Sequence, residues 1–189
     1  KQIRSEDTPL DTTGGNILTW LRFTLFFLII CGLLYPVVTT LIAGAMFPRQ
    51  ANGSLIERNG MIVGSSLVGQ TFQSPQYFIG RPSAAGDGYN PTSVSGSNLA
   101  VSNPSLRERA STTSAEIAER EGVSSEQIPV DLIAASGSGI DPHISPEAAA
   151  LQIPRVAEAR GLSIEQVQTL VTAYTEGNVL GLGMPAVKV

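Results

Sequence analysis

From Phe23 to Phe47 the chain runs 25 residues without one charged side chain, and that run dictates how everything else is arranged. At 1.5 Å per residue, about 20 apolar residues cross a hydrocarbon core roughly 30 Å thick, so the segment reads as a transmembrane helix. Gly32, Pro36, Thr39, Thr40 and Gly44 interrupt its apolarity. Within lipid such residues face neighbouring helices that re-satisfy freed backbone groups, so these five are the candidates for packing against a membrane partner. The run is too long for a signal-peptide core, and Glu6, Asp7 and Asp11 stand where such a leader carries basic residues. Lys1, Arg4 and Arg22 before the span against Arg49 and Arg58 after it lean weakly towards a cytoplasmic amino terminus, and Trp20 suits an interfacial position.

The expected organisation is a tail over residues 1–22, a transmembrane helix over 23–47 and one soluble domain over 48–189. A domain of that size buries a core of its own. Nine of the 12 Lys and Arg and 13 of the 16 Asp and Glu lie beyond residue 47, with no basic cluster, which argues against nucleic acid as a partner. Cys31, the only cysteine, lies in the span, and His143 is the only histidine. Neither a disulfide framework nor a thiolate or multi-histidine metal site is expected. No phosphate-loop or dinucleotide-binding motif occurs, so no catalytic residue, metal or cofactor of the chain's own is assigned.

Along the domain, Leu55–Leu67 reads as short strands joined by tight turns at Gly53, Asn59-Gly60 and Gly64. Tyr77-Phe78-Ile79 reads as a further strand. Ser83–Ser105 is crowded with Gly, Asn, Ser and Pro, a loop long enough to be disordered or functional. Helical periodicity follows. One helix opens at Pro104 or Ser105, carries Leu106, Ala110 and Ile117 inward and ends near Gly122. A second is capped by Ser145, runs through Pro154 to Gly161 and is kinked by that proline. A third opens at Ser163 with Gln166 completing a capping box, and presents Val167, Leu170, Val171 and Tyr174 on one face. The segments 117–128 and 156–167 echo each other as a glycine helix end followed by a Ser-x-x-Gln cap. The fold class is a single transmembrane helix followed by one small α/β or α+β domain, its strands mostly in the first half.

Ser136-Gly137-Ser138-Gly139, a glycine-rich loop ahead of the helix starting at Ser145, is a weak candidate for binding an anion at backbone N–H groups. Asp141, His143 and Ser145 invite comparison with an acyl-transfer triad, but they alternate within five residues around Pro142, and local hydrogen bonds that fix the loop suit them better. Arg81 and Arg155 are each suited to a carboxylate, in a partner or within the domain.

The stretch from Asp131 to Arg155, DLIAASGSGIDPHISPEAAALQIPR, resembles the C subunit of the bacterial Kdp potassium-transporting ATPase. Supporting motifs come in that family's order: Tyr77-Phe78, Gly80-Arg81-Pro82-Ser83, Tyr89-Asn90-Pro91, Ser95-Gly96-Ser97-Asn98-Leu99, Asn103-Pro104, Pro129-Val130-Asp131-Leu132 and the Val187-Lys188-Val189 ending. The family usually has two glycines where Gly96-Ser97 stands here. The resemblance implies a non-catalytic accessory subunit of the bacterial inner membrane, with one span, a cytoplasmic amino terminus and an extracytoplasmic domain. Its implied partners are an ATP-hydrolysing P-type subunit, a potassium-channel-like subunit and a small single-span subunit, with the lipid bilayer around them. ATP is then bound mainly by a partner, and potassium is the transported ion. The family is also described as a catalytic chaperone that raises the ATP affinity of the hydrolysing subunit. An external domain lies some 30 Å of hydrocarbon away from ATP, so such an effect is expected to pass through the span.

The residues implied to face a partner or the ion entrance are Gly80, Arg81, Pro82, Ser83, Tyr89, Asn90, Ser95, Gly96, Asn98, Asn103, Asp141, Pro142, His143, Ser145, Gln152 and Arg155. Two other readings are a membrane-tethered serine hydrolase using Ser136 or Ser138 with His143, and a cytoplasmic nucleotide-binding regulator of opposite topology.

Overall fold

A computed structural model describes residues 14–177 and 183–189. Lys1, Arg4, Glu6, Asp7 and Asp11, with most of the tail expected over 1–22, lie outside the described residues. Two compact units divide between Ser54 and Leu55.

The first unit is one continuous helical rod: α1 (Gly14–Phe27), a π-helical segment (Leu28–Leu34) and α2 (Tyr35–Met46), followed by the short α3 (Pro48–Ala51). By length and composition, Ile17–Met46 is able to cross a membrane. The π segment sits directly before Pro36, which has no N–H and whose ring would crowd the carbonyl four residues back, at Gly32. Widening the turn is an alternative to kinking, and the Tyr35 N–H accordingly reaches back five residues to Ile30 O. Thr39 Oγ1 donates to Tyr35 O at 2.7 Å and to Pro36 O at 3.1 Å. A Cβ at Gly44 would meet nothing within 4 Å.

The second unit begins with a hairpin of β1 (Leu55–Arg58) and β2 (Met61–Ser65). Asn59 and Gly60 both take positive φ, the requirement of a two-residue type I′ turn. Gly64 does not punctuate a turn; it lies within β2 beside a bulge.

Then come α4 (Pro104–Glu121), a 3₁₀ turn (Ser125–Gln127), α5 (Val130–Ile133), β3 (His143–Ile144), α6 (Pro146–Arg160), α7 (Ile164–Ala173), β4 (Thr175–Glu176) and β5 (Ala186–Lys188). The last three strands form an antiparallel sheet in the order β3-β5-β4. Most strands therefore lie in the second half, contrary to expectation. They are only two or three residues long, below the length at which sequence periodicity registers.

The echoed segments do share one local structure. Gly122 and Gly161 both end a helix in the left-handed region, and Ser124/Gln127 and Ser163/Gln166 both close capping boxes. The first box opens only a single 3₁₀ turn. The core gathers Ile117, Leu132, Ile144, Ile153, Val156, Val167, Val171 and Val187 around α6. On α7 only Val167 and Val171 are buried; Leu170, and Tyr174 just past its end, are exposed.

Tyr77-Phe78-Ile79 forms no strand. Its backbone is held by side chains of α6 instead. Gln152 is fully buried; its Oε1 accepts the Ile79 N–H at 2.8 Å, and its Nε2 donates to Ile79 O at 3.1 Å and Ala148 O at 3.2 Å. Arg155 Nη1 donates to Pro75 O and to Tyr77 O, and Arg160 Nε to Gln76 O. Arg160 also lies over the Tyr77 ring, 5.3 Å from its centroid. An amide side chain that offers one donor and one acceptor to a single residue does what a neighbouring strand would do.

Candidate functional site

The long segment 83–103 contains no helix or strand, yet it is packed in place against the glycine-rich loop of residues 136–139. Ser83 Oγ donates to Gly139 O and accepts the N–H groups of Ala85 at 3.1 Å and Tyr89 at 2.8 Å. Gly139 has φ +74°, and a Cβ there would collide with Ser95 O and with Ala85 N. A Cβ on Gly96 would stand 2.8 Å from Gly137 O. These glycines are spent on close approach between two loops rather than on an open cradle. Of the candidate anion-binding amides, that of Gly139 donates to Ser136 Oγ at 2.8 Å, and the neighbouring Ile140 N–H donates to Ser138 Oγ at 3.3 Å.

Tyr89 is the hub of this layer. It takes a left-handed φ of +52°, its ring covers Gly69 and Gly80, where any side chain would clash with it, and its hydroxyl donates to Arg81 O. Burial pushes its pKa up, Asp141 adds to that, and Arg81 opposes it. Arg81 then reaches the second loop, with Nη1 3.3 Å from Asp141 Oδ2 and further donations to Ala134 O. Asp141 Oδ1 accepts the His143 N–H at 3.1 Å and lies 3.0 Å from His143 Nδ1. On its other edge, His143 Nε2 is 3.8 Å from Glu176. Pro142 O accepts the N–H of Val189 and so ties the chain's last residue to this loop.

Ser145 caps α6, its Oγ accepting the Ala148 N–H at 3.0 Å, and is itself held by Asp131, which accepts its N–H at 2.7 Å and its hydroxyl at 2.9 Å. Among the described residues no hydrogen bond joins Ser136, Ser138 or Ser145 to His143, and no group of acidic, His and Cys side chains is arranged to hold a metal.

Gln152 and Arg155 belong to a neighbouring network that joins this layer through Ile79-Gly80. Arg155 Nε lies 3.0 Å from both oxygens of Glu121, whose side chain is only 1% exposed, and its Nη2 donates to Gln152 Oε1 at 2.8 Å. Asn90 closes a local turn by accepting from Thr92, and Asn103 caps α4 by accepting the Ser105 N–H at 3.0 Å. Asn98 is exposed with φ +48°.

Two clefts share Arg81. One, of about 330 Å³, runs between Arg81, Pro82, Ser83 and Tyr89 and the α4 residues Glu116 and Arg120. The other, of about 370 Å³, is lined by Asp131, Asp141, His143, Ser145, Glu147 and Met184.

Sequence reasoning left Asp131 and Glu121 out of the candidate site residues, and it named Ser95 without its contact with Gly139. Asp131 had a signal, being the lone acid in an apolar stretch before the glycine loop. Glu121 had none, since its partner is 34 residues away.

A family model described as KdpC, the c chain of the K+-transporting ATPase, matches residues 17–189, which includes both loops and the span. The chain belongs to the KdpC family. Proteins named potassium-transporting ATPase KdpC subunit share 52% identity in Shewanella putrefaciens (87% of this chain, 82% of that protein) and 49% in Ralstonia nicotianae (93% and 87%). Another, in Xanthomonas oryzae, shares 50% over 98% of this chain and 88% of its own length. This KdpC-family chain thus matches its relatives through the apolar helix and the loop layer alike.

Proposed function

We propose that the chain is the non-catalytic accessory subunit of an ATP-driven potassium uptake complex, holding an ATP-hydrolysing P-type subunit and a channel-like subunit together. The observation that carries this reading is the family match across residues 17–189, span and folded unit together. The loop layer supports it. Its hydroxyls and amides are used to lock two loops into one polar surface around Arg81, a preformed surface suited to binding. In this reading residues 80–105 and 136–145 face a partner or the ion entrance. Gly32, Pro36, Thr39, Thr40 and Gly44 pack the span against partner helices. The amino terminus is cytoplasmic and the domain lies outside the bacterial inner membrane. ATP is bound by the P-type subunit, potassium is the cargo, and any effect on ATP affinity travels through the span.

The test is purification of the tagged chain in gentle detergent from cells expressing the whole complex. Both large subunits are expected to co-purify, and recovery of the chain alone would sink the reading. Sidedness is read from a cysteine at Ser125 in a Cys31→Ala background, using an impermeant thiol reagent on intact spheroplasts. Labelling before lysis is expected; labelling only after lysis would restore direct contact with nucleotide.

A further inference from the structure

Two asparagines of this chain are followed by glycine, Asn52 and Asn59. An asparagine amide is open to attack by the backbone nitrogen of the next residue, and glycine, with no Cβ, obstructs that approach least. The structure treats the two pairs differently. At Asn52-Gly53 both reacting groups are engaged: Asn52 Nδ2 donates to Pro48 O at 2.7 Å, and the Gly53 N–H donates to Gln50 O at 3.1 Å. The next N–H, that of the buried Ser54, donates to Arg49 O at 2.9 Å and fixes the backbone beyond. At Asn59-Gly60 both residues are exposed, and among the described residues neither the Asn59 side chain nor the Gly60 N–H has a hydrogen-bond partner.

The closed turn is not itself the reactive geometry. Asn59 and Gly60 lie at φ +53° and +75°, and the backbone of a type I′ turn aims Gly60 N away from the ring-closing approach to Asn59 Cγ. Attack therefore draws on conformations in which the hairpin has opened. Such opening is easy here. Val63 is 47% exposed, Ile62 66% and Met61 68%, β1 and β2 form a sheet of two strands, and a side-chain bond from Gln70 Nε2 to Val63 O at 3.0 Å ties β2 to the loop that follows. A two-stranded hairpin with few buried apolar contacts sits at the low end of local stability.

We propose that Asn59 is a site of spontaneous deamidation whose rate is set by opening of the β1–β2 hairpin. Gly60 N forms a bond to Asn59 Cγ, the Cγ–Nδ2 bond breaks, and ammonia leaves with the proton that Gly60 N carried. Water then opens the resulting five-membered imide at either carbonyl. Opening at Cγ leaves an aspartate on an unchanged backbone, whereas opening at the backbone carbonyl leaves an isoaspartate with one more carbon in the main chain. Aspartate before glycine still suits the turn and adds a negative charge two residues from Glu57. Isoaspartate does not suit it, because a two-residue turn cannot absorb the extra carbon while Arg58 stays paired with Met61. The chemistry needs only water and no partner subunit.

The experiment incubates the full chain in mild detergent at mildly alkaline pH and follows the gain of about 1 Da at each asparagine by peptide mapping. Tryptic cleavage after Arg49, Arg58 and Arg81 puts the two asparagines on separate peptides. In guanidinium, where neither pair is held, the two are expected to convert at rates within about twofold of each other. In the folded chain Asn59 is expected to convert about tenfold faster than Asn52, with isoaspartate among its products. A folded-chain ratio near or below one overturns the proposal. Gln70→Ala, which removes the tie to Val63 O, is expected to speed conversion at Asn59 about threefold and leave Asn52 unchanged. An Asn59 rate that Gln70→Ala does not move overturns control by hairpin opening.

Discussion

The segment 75–79 and the β1–β2 hairpin both lie outside any larger sheet among the described residues, and the two are held in opposite ways. The first is closed from within: Gln152, Arg155 and Arg160 supply from one helix the donors and the acceptor that a strand would have supplied. The second pairs only with itself and leaves its apolar faces bare. The difference separates a segment closed by the fold itself from one that the described elements leave uncovered. Substitutions in the first region should be felt in stability, and those in the second far less.

Arg155→Ala should have the largest effect. It removes a partner from the nearly buried Glu121 and frees the Pro75 and Tyr77 carbonyls. A loss of about 3 kcal/mol is expected, the low end for breaking a buried pair, because Arg120 remains 2.8 Å from the same carboxylate. Denaturant unfolding of the full chain in mild detergent measures it, and a loss below about 1 kcal/mol would show that α6 does not hold segment 75–79. Gln152→Ala follows at about 2 kcal/mol, since the Ile79 N–H and C=O lose their partner together.

Glycine substitutions sharpen the contrast within the ordered region. Gly122→Ala meets only the left-handed backbone penalty of about 1 kcal/mol, because its surroundings are open. Gly139→Ala meets that and the collision with Ser95 O, so the excess of its loss over that of Gly122→Ala reports the packing of the two loops.

Tyr89 acts only at alkaline pH. Its folded pKa is raised, so the stability it contributes is fully present below the ordinary tyrosine value near 10 and is lost as pH rises through the folded value. Absorbance at 295 nm should show a late tyrosine ionisation step that Tyr89→Phe removes. If Tyr89→Phe leaves the late part of the titration unchanged, the hub is solvated. Ile62→Ala should be the quietest change, within about 0.5 kcal/mol in the isolated chain. A larger loss would place the hairpin among the elements that stabilise the fold.

The elements written in local code were legible from the sequence. The apolar run, the Asn59-Gly60 turn, the caps at Ser145 and Ser163 and the glycine ends at 122 and 161 each depend on residues within four positions of one another. What was not legible depends on distant partners. Tyr77-Phe78-Ile79 has strand composition, yet its backbone groups are taken by Gln152, 73 residues on from Ile79, and by Arg155. Gly139 suits an anion cradle equally well until Ser95 and Ala85 are seen to fill the space beside it. His143 and Lys188 become neighbours only because β3 pairs with β5, and two-residue strands leave no periodic trace.

The π segment ahead of Pro36 has a consequence for how the apolar rod meets its surroundings. A turn closed over five residues rather than four advances the chain by an extra residue, roughly 100° of rotation for each such step. The helix therefore undergoes a phase slip midway. Side chains around Trp20 and those around Thr39 that would share a stripe on a regular helix are aimed along different bearings. Two neighbours, approached from two directions at two depths, can thus be engaged by a single helix.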